Sequence, residues 1–315
     1  MPASKQLTLI PVPGHGAEDV VVDAEGRVFT GTEDGAVFAI ERDGARVRRV
    51  GHTGGRPLGL EVLADGRLLV CDAYRGLLAL DPDSGVLETL ATEADGRPIL
   101  VCNNAAVARD GTIYFSDSSA VHPLSTWRAD IAEDTRSGRL LRRSPDGRID
   151  TLLDGLRFAN GVALAPDDSA VFVAESAGHT VVRRWLTGDQ ARDQAGAGAG
   201  SRDYLVDDLP GHPDNIALGS DGLVWVTIAS PPVTVLPRLH RLPLPVRKLA
   251  TRVPSRLQPQ PGRIVHVMAF DTSGQVVHDL ELDATNYHMV TGVREHEGRV
   301  WMGSLEESSV AWIDL

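Results

Sequence analysis

The sequence predicts an all-β fold, a six-bladed β-propeller built by residues 1–315 as a single domain. Three observations carry the prediction. Short acidic turns recur six times, at Glu25-Gly26, Asp65-Gly66, Asp110-Gly111, Asp167-Asp168, Asp221-Gly222 and Glu297-Gly298. Short runs of Val, Ile, Leu and aromatics flank each turn, the composition of strands bounded by Gly, Asp and Pro. The turns lie 40, 45, 57, 54 and 76 residues apart, and the shortest interval fits one four-stranded blade. A solenoid would need polar end caps, and the chain offers none.

Each unit reads polar donor, apolar strand, acidic turn, apolar strand, loop, apolar strand. The first runs from Glu18-Asp19 through "VVV" and "EGRVFTGT" to "GAVFAIERDG", and the second is "LGLEVLADGRLLVCDAYRGLLALDPDSG". The third, "NNAAVARDGTIYFSDSS", resumes at "GRLLRRSPDG"; the fourth is "NGVALAPDDSAVFVAESAGHTVVRRWLTG". The fifth, "DNIALGSDGLVWVTIAS", resumes at "RIVHVMAFDTSG", and the sixth, "TGVREHEGRVWMGSLEESSVAWIDL", stops after its third strand. The N-terminal run "LTLIPV" has no unit of its own, so it is expected to add the missing outer strand and close the ring. Insertions at about 117–138 and 230–262 fall between second and third strands, on the face where inner strands begin. They are expected to be lid loops, with "TWRADIAEDTRSG" as a short helix. The connector "QAGAGAGS" (Gln194 to Ser201) is expected on the outer rim.

Composition narrows the function. An apolar fraction of 42% supports a sizeable core, while the formal charge of −12 argues against nucleic acid, which wants a basic footprint. No apolar run approaches the roughly 18 residues of a membrane span, so neither nucleic acid nor membrane is an expected partner. Met1 to Gln6 lacks the apolar stretch of a signal peptide, and a cytoplasmic location is the expectation. Cys71 and Cys102 lie in apolar runs and are read as free, buried thiols.

Asparagine is rare, with five in the chain, yet four occupy two adjacent positions of one repeating frame. Eight residues before the second residue of each turn stand Glu18, Leu58, Asn103, Asn160, Asp214 and Val290; the next position adds Asp19, Asn104, Asn215 and Thr291. Donors at one phase of a sixfold repeat face a common axis. Glu18, Asn103, Asn160, Asp214 and Asn215 offer two carboxylates and three amides, a hard-oxygen set that suits Ca²⁺ better than Zn²⁺ or Mg²⁺. The competing role for such residues is capping strand starts through side-chain to backbone bonds. Leu58 and Val290 leave one side of the axis apolar.

The motifs "GAED", "NNAAVARDGTIYFSD", "GRLLRR…LLDGLRFANGVALAPDD…VFVAE", "LPGHPDNIALGSDGLVWV" and "MVTGVREHEGRVWMGS" cover nearly the whole chain. They resemble the strictosidine synthase-like branch of the regucalcin/gluconolactonase/paraoxonase superfamily. That resemblance implies a six-bladed propeller with Ca²⁺ in a central tunnel, held by Glu18, Asn103, Asn160, Asp214 and Asn215. It also exposes departures. Leu58 stands where paraoxonases place a histidine of their catalytic dyad. His288 or Thr291 stands where the plant Pictet–Spengler enzymes need a glutamate, and Asn104 replaces an aspartate linked to a second calcium.

The expected function is therefore a calcium-dependent hydrolase of lactones or esters acting on a small molecule. By resemblance to gluconolactonases, Asp214 is the candidate catalytic base as well as a ligand. Leu58, His122, His179, His288 and Thr291 are candidate substrate contacts, since they sit in the insertion, at strand ends or beside the apolar side of the tunnel. His212 and His240 also fall where they would reach the tunnel mouth. Two alternatives are a non-hydrolytic enzyme performing a cyclisation or condensation, and a propeller used only for binding.

Overall fold

The computed structural model describes residues 7–41, 44–188, 203–253 and 260–315. Six four-stranded antiparallel sheets form a six-bladed β-propeller. From axis to rim, the first blade contains Val20–Val22, Val28–Gly31, Ala36–Ile40 and Val47–His52. Inner strands of the others are Pro57–Val62, Cys102–Val107, Ala159–Leu164, His212–Leu218 and Val290–His296. Each inner strand packs against the inner strands of both neighbouring blades, so the six close into a ring. Thr8–Pro11 pairs antiparallel with the third strand of the sixth blade, Thr8 opposite Trp312 and Pro11 opposite Ser309, joining the two ends of the chain as expected. A small ribbon, Glu93–Ala94 with Arg97–Pro98, lies outside the blades. The connector at Gln194 to Ser201 falls outside the described residues.

Alternation along each strand sends side chains to both faces, so each blade contributes to two apolar layers. Between the second and third blades, Leu69, Cys71 and Leu77 meet Cys102, Phe115 and Leu141. Between the fourth and fifth, Phe172 and Val181 meet Ile216, Val226 and Phe270. Both cysteines are free and buried in the first of these layers.

The insertions form helices over one end of the axis: α1 (Trp127–Glu133), α2 (Leu236–His240) and α3 (Leu244–Ala250). α1 packs against both others. Glu133 ties α1 to α3 and to the loop that precedes α1. Its carboxylate meets His122 Nε2 at 3.1 Å and accepts from Thr251 Oγ1 at 3.4 Å, while its carbonyl accepts from Arg247. His240 Nε2 bonds the Ile131 carbonyl at 2.9 Å, pinning α2 to α1.

Candidate metal centre and tunnel

Inner strands start at the axis beneath the lid, and their first side chains frame a cavity of about 380 Å³. Glu18, Asn103, Asn160 and Asp214 line its floor; Leu58, Phe158, Met289 and Leu305 line the walls, and residues of α1 and α2 form the roof. The cavity is thus apolar except at one end, the usual character of a small-molecule site.

At that end the polar atoms converge without partners. Asn103 Oδ1, Asn160 Oδ1, Asp214 Oδ1 and both polar atoms of Asn215 are buried with no hydrogen bond among the described residues. Their directions are set from behind. Asn103 Nδ2 donates to Ser118 Oγ at 2.9 Å, and Asn160 Nδ2 donates to Ser176 Oγ at 3.1 Å. Ser176 in turn donates to the Pro213 carbonyl at 2.7 Å, so its oxygen must accept from Asn160. Each amide is therefore turned with its oxygen inward. Buried acceptors left unpaired cost stability unless a further partner satisfies them, and a cation does so. The donor set fits a hard, oxygen-loving divalent ion such as Ca²⁺.

Electrostatics point the same way. Burial pushes the Glu18 carboxyl up to about 7, against the opposing pull of Arg56, whose Nη2 lies 3.1 Å away. Burial, reinforced by Glu18, pushes Asp214 well above the ordinary carboxylate range. These groups resist ionising side by side, and a divalent ion removes the reason.

One position further along, the axis alternates. Gly59, Gly161 and Gly292 stand between Asp19, Asn104 and Asn215. A Cβ on the glycines would lie 2.6 Å from the Asn103 carbonyl, 2.1 Å from Ile216 N and 2.5 Å from Asp19 Cα, respectively. Only three side chains fit there, and two of them bind their neighbours. Asp19 Oδ2 accepts from Leu60 N at 2.9 Å and Asn104 Nδ2 at 3.3 Å; Asn104 Oδ1 accepts from Val162 N at 2.9 Å. With both ends of its amide bonded to protein, Asn104 serves the scaffold. Asn215 has neither end bonded, which leaves its amide oxygen free to join the donors of the floor.

Of the residues singled out by sequence, Glu18, Leu58, Asn103, Asn160 and Asp214 meet in the cavity, with Asn215 directly behind. The remainder lie elsewhere. His122 is held by Glu133 at the lid, and His288 sits between Glu306 and Glu307 on the sixth blade. His179 packs its ring behind that of His212, with centroids 4.5 Å apart. Thr291 is fully buried, and its hydroxyl donates to the Glu18 carbonyl at 2.9 Å, stapling the last blade to the first.

The sixth blade also shifts the frame. His296 pairs with Arg299 across Glu297 and Gly298, at φ 51° and 80°. This is a two-residue hairpin with both central residues left-handed, where other blades use longer turns such as Val62 to Leu68. Counting back from the turn therefore lands one residue early. Val290 opposes Ser304 as Pro57 opposes Asp72, so Thr291, not Val290, is the equivalent of Leu58.

Sequence reading missed the residues that aim the donors. Ser118 and Ser176 each follow a carboxylate that ends a second strand, Asp117 and Glu175. That repeated pairing was the available signal. Arg56 carried none, because its contact with Glu18 crosses 38 residues. His212 lines the cavity, with Nδ1 2.8 Å from the Ser176 carbonyl.

Comparison with known proteins agrees with this architecture. A family model described as SMP-30/Gluconolactonase/LRE-like region matches residues 35–235, and one described as Strictosidine synthase-like, N-terminal, matches residues 5–40. Protein STRICTOSIDINE SYNTHASE-LIKE 13 of Arabidopsis thaliana is 31% identical over 272 residues, covering 82% of this chain but 60% of that protein. Adipocyte plasma membrane-associated protein of Gallus gallus is 31% identical over 320 residues, covering 94% and 74%. Among solved structures, a gluconolactonase from Xanthomonas campestris superposes with a TM-score of 0.69 at 18% identity, covering 99% and 90% of the two chains. Regucalcin from Agrobacterium tumefaciens, described as a calcium-binding protein, gives 0.66 at 13% identity, covering 99% and 93%. These structural matches speak to the fold alone. Matched over most of its length by sequence, the chain belongs to the SMP-30/gluconolactonase/LRE-like family and carries a strictosidine synthase-like N-terminal region.

Proposed function

We propose that this protein is a calcium-dependent hydrolase of lactones or esters. The observation that carries the reading is the set of unpartnered oxygens of Asn103, Asn160 and Asp214, beside Glu18, at the polar end of an apolar cavity, with the equally unpartnered amide of Asn215 next in the chain. Those five residues would hold the ion. When bound, Ca²⁺ supplies Lewis acidity toward a carbonyl oxygen and lowers the pKa of water.

The chain's own residues do the rest. Leu58, Phe158, Met289 and Leu305 receive an apolar substrate body and direct its polar end toward the floor. The helices of the lid, tied through Glu133 and His240, exclude water, which strengthens each polar contact inside. Ser118 and Ser176 keep the amide oxygens from rotating away when the site is empty.

The test is turnover of a panel of γ- and δ-lactones and aryl esters, with calcium and after chelation. Hydrolysis that needs calcium supports the reading; chelation-resistant hydrolysis, or no calcium binding, defeats it. A cyclisation or condensation on the same scaffold is the second reading. Leu58 favours it, because the wall offers no histidine where paraoxonases carry one.

A further inference from the structure

We infer that His212 is the proton acceptor of the site, its Nε2 taking the proton of the attacking water; this rests on the hydrolytic reading above. His212 opens the inner strand of the fifth blade, two residues before Asp214, and its ring lines the cavity. Its Nδ1 lies 2.8 Å from the Ser176 carbonyl. A carbonyl oxygen only accepts, so Nδ1 carries the hydrogen, and the neutral ring has a bare lone pair at Nε2. That Nε2 is buried and has no partner among the described residues.

The ring cannot easily turn to hide this atom. The His179 ring packs against it edge to face at 89°, and Ser176 grips it from the other end. Ser176 is also the residue whose hydroxyl aims Asn160 Oδ1 into the site. One serine therefore sets the direction of a metal donor through its side chain and of a base through its carbonyl. Asp214 is less suited to the proton transfer than the sequence suggests, because its unpartnered oxygen belongs to the donor set. His212 lines the same cavity, and its unpartnered atom is an imidazole nitrogen, a poorer match for Ca²⁺ than the oxygens of that set.

The step balances on these atoms. As the water oxygen bonds the substrate carbonyl carbon, its proton passes to Nε2, and Nδ1–H remains on the Ser176 carbonyl. When the tetrahedral adduct collapses, the bond to the leaving alkoxide breaks and Nε2–H returns the proton to it. Ester and water become acid and alcohol.

The test compares wild type, His212→Gln and His212→Ala, all calcium-saturated, on the lactone and aryl-ester panel. Glutamine keeps a polar side chain but cannot shuttle a proton. Its kcat should fall by about 10²- to 10⁴-fold, with little change in KM, calcium affinity or melting temperature. Added imidazole should restore part of the activity of His212→Ala. In wild type, ¹⁵N-resolved NMR of the ring should show hydrogen on Nδ1 and none on Nε2. Hydrogen on Nε2, an unchanged kcat in His212→Gln, or no imidazole rescue of a folded His212→Ala would each overturn the assignment while the hydrolytic reading stands. A wild type inert on the whole panel would overturn both.

Discussion

Replacing Asn160 by alanine separates a metal ligand from a strand cap. In the chelated protein, the substitution removes a buried, unpaired Oδ1 and also the 3.1 Å bond from Nδ2 to Ser176. The unpaired oxygen costs about 1–3 kcal/mol and the hydrogen bond contributes about 1 kcal/mol, so the two largely offset each other. Stability in EGTA should therefore shift by no more than about 2 kcal/mol. In calcium the variant loses one of five proposed donors. Changes even in the residues supporting a ligand cost about 10- to 100-fold in affinity, so losing the ligand itself should cost about 100-fold or more. That corresponds to roughly 2.7 kcal/mol of calcium-dependent stabilisation, or about 5 °C in melting temperature for a chain of this size. Thermal melts across a calcium titration, with calorimetric measurement of affinity, give both quantities. Equal loss of melting temperature in calcium and in EGTA would refute the reasoning, since a strand cap contributes whether or not an ion is bound.

Other predictions follow from the same structure. Glu18 and Asp19 are raised to about 7, chiefly by burial, and burial also holds Asp214 well above the ordinary carboxylate range. Their contribution to the chelated fold is full below the unfolded carboxylate pKa and is lost as pH rises through about 7. Calcium removes that loss, so the melting-temperature gap between calcium and EGTA should widen from pH 5 to 8. His179, lowered to about 4 by burial, acts in the opposite sense, with stability lost as pH falls from about 6.5 toward 4. That term is shared by both buffers, so a flat or narrowing gap would contradict the site. Arg139 and Asp117 form a fully buried pair at 2.6 Å; Arg139→Met should cost about 3–5 kcal/mol in urea unfolding, largely recovered by adding Asp117→Asn. Gly161→Ala, whose Cβ would stand 2.1 Å from Ile216 N, should cost at least about 1–3 kcal/mol and broaden Asn215 resonances.

The propeller was legible because each blade repeats the same local problem: a short inner strand, an acidic turn, and a return to the rim. That periodicity placed Glu18, Asn103, Asn160 and Asp214 in one frame before any contact was known, since residues at one phase of a closed ring must face one axis. It failed at the sixth blade for a local reason. The two-residue turn at Glu297 and Gly298 shortens the hairpin, so the count assigned Val290 to a position that Thr291 holds. His288 and His122 illustrate a different limit. A strand end or an insertion places a residue on a face, but partners distant in sequence, Glu307 and Glu133, decide which way its ring turns.

What the sequence determined by itself is the repeat, its closure by the N-terminal strand and the identity of the converging oxygens, because these depend on chain order and side-chain chemistry. The tertiary structure decided their orientation. Ser118 and Ser176 turn the amides inward, Arg56 reaches Glu18, and the Ser176 carbonyl fixes the His212 tautomer. Each of these is a hydrogen bond between strands or blades. Its direction follows from how the sheets pack around the axis; the chain records the serines after Asp117 and Glu175, but not which way they turn the amides.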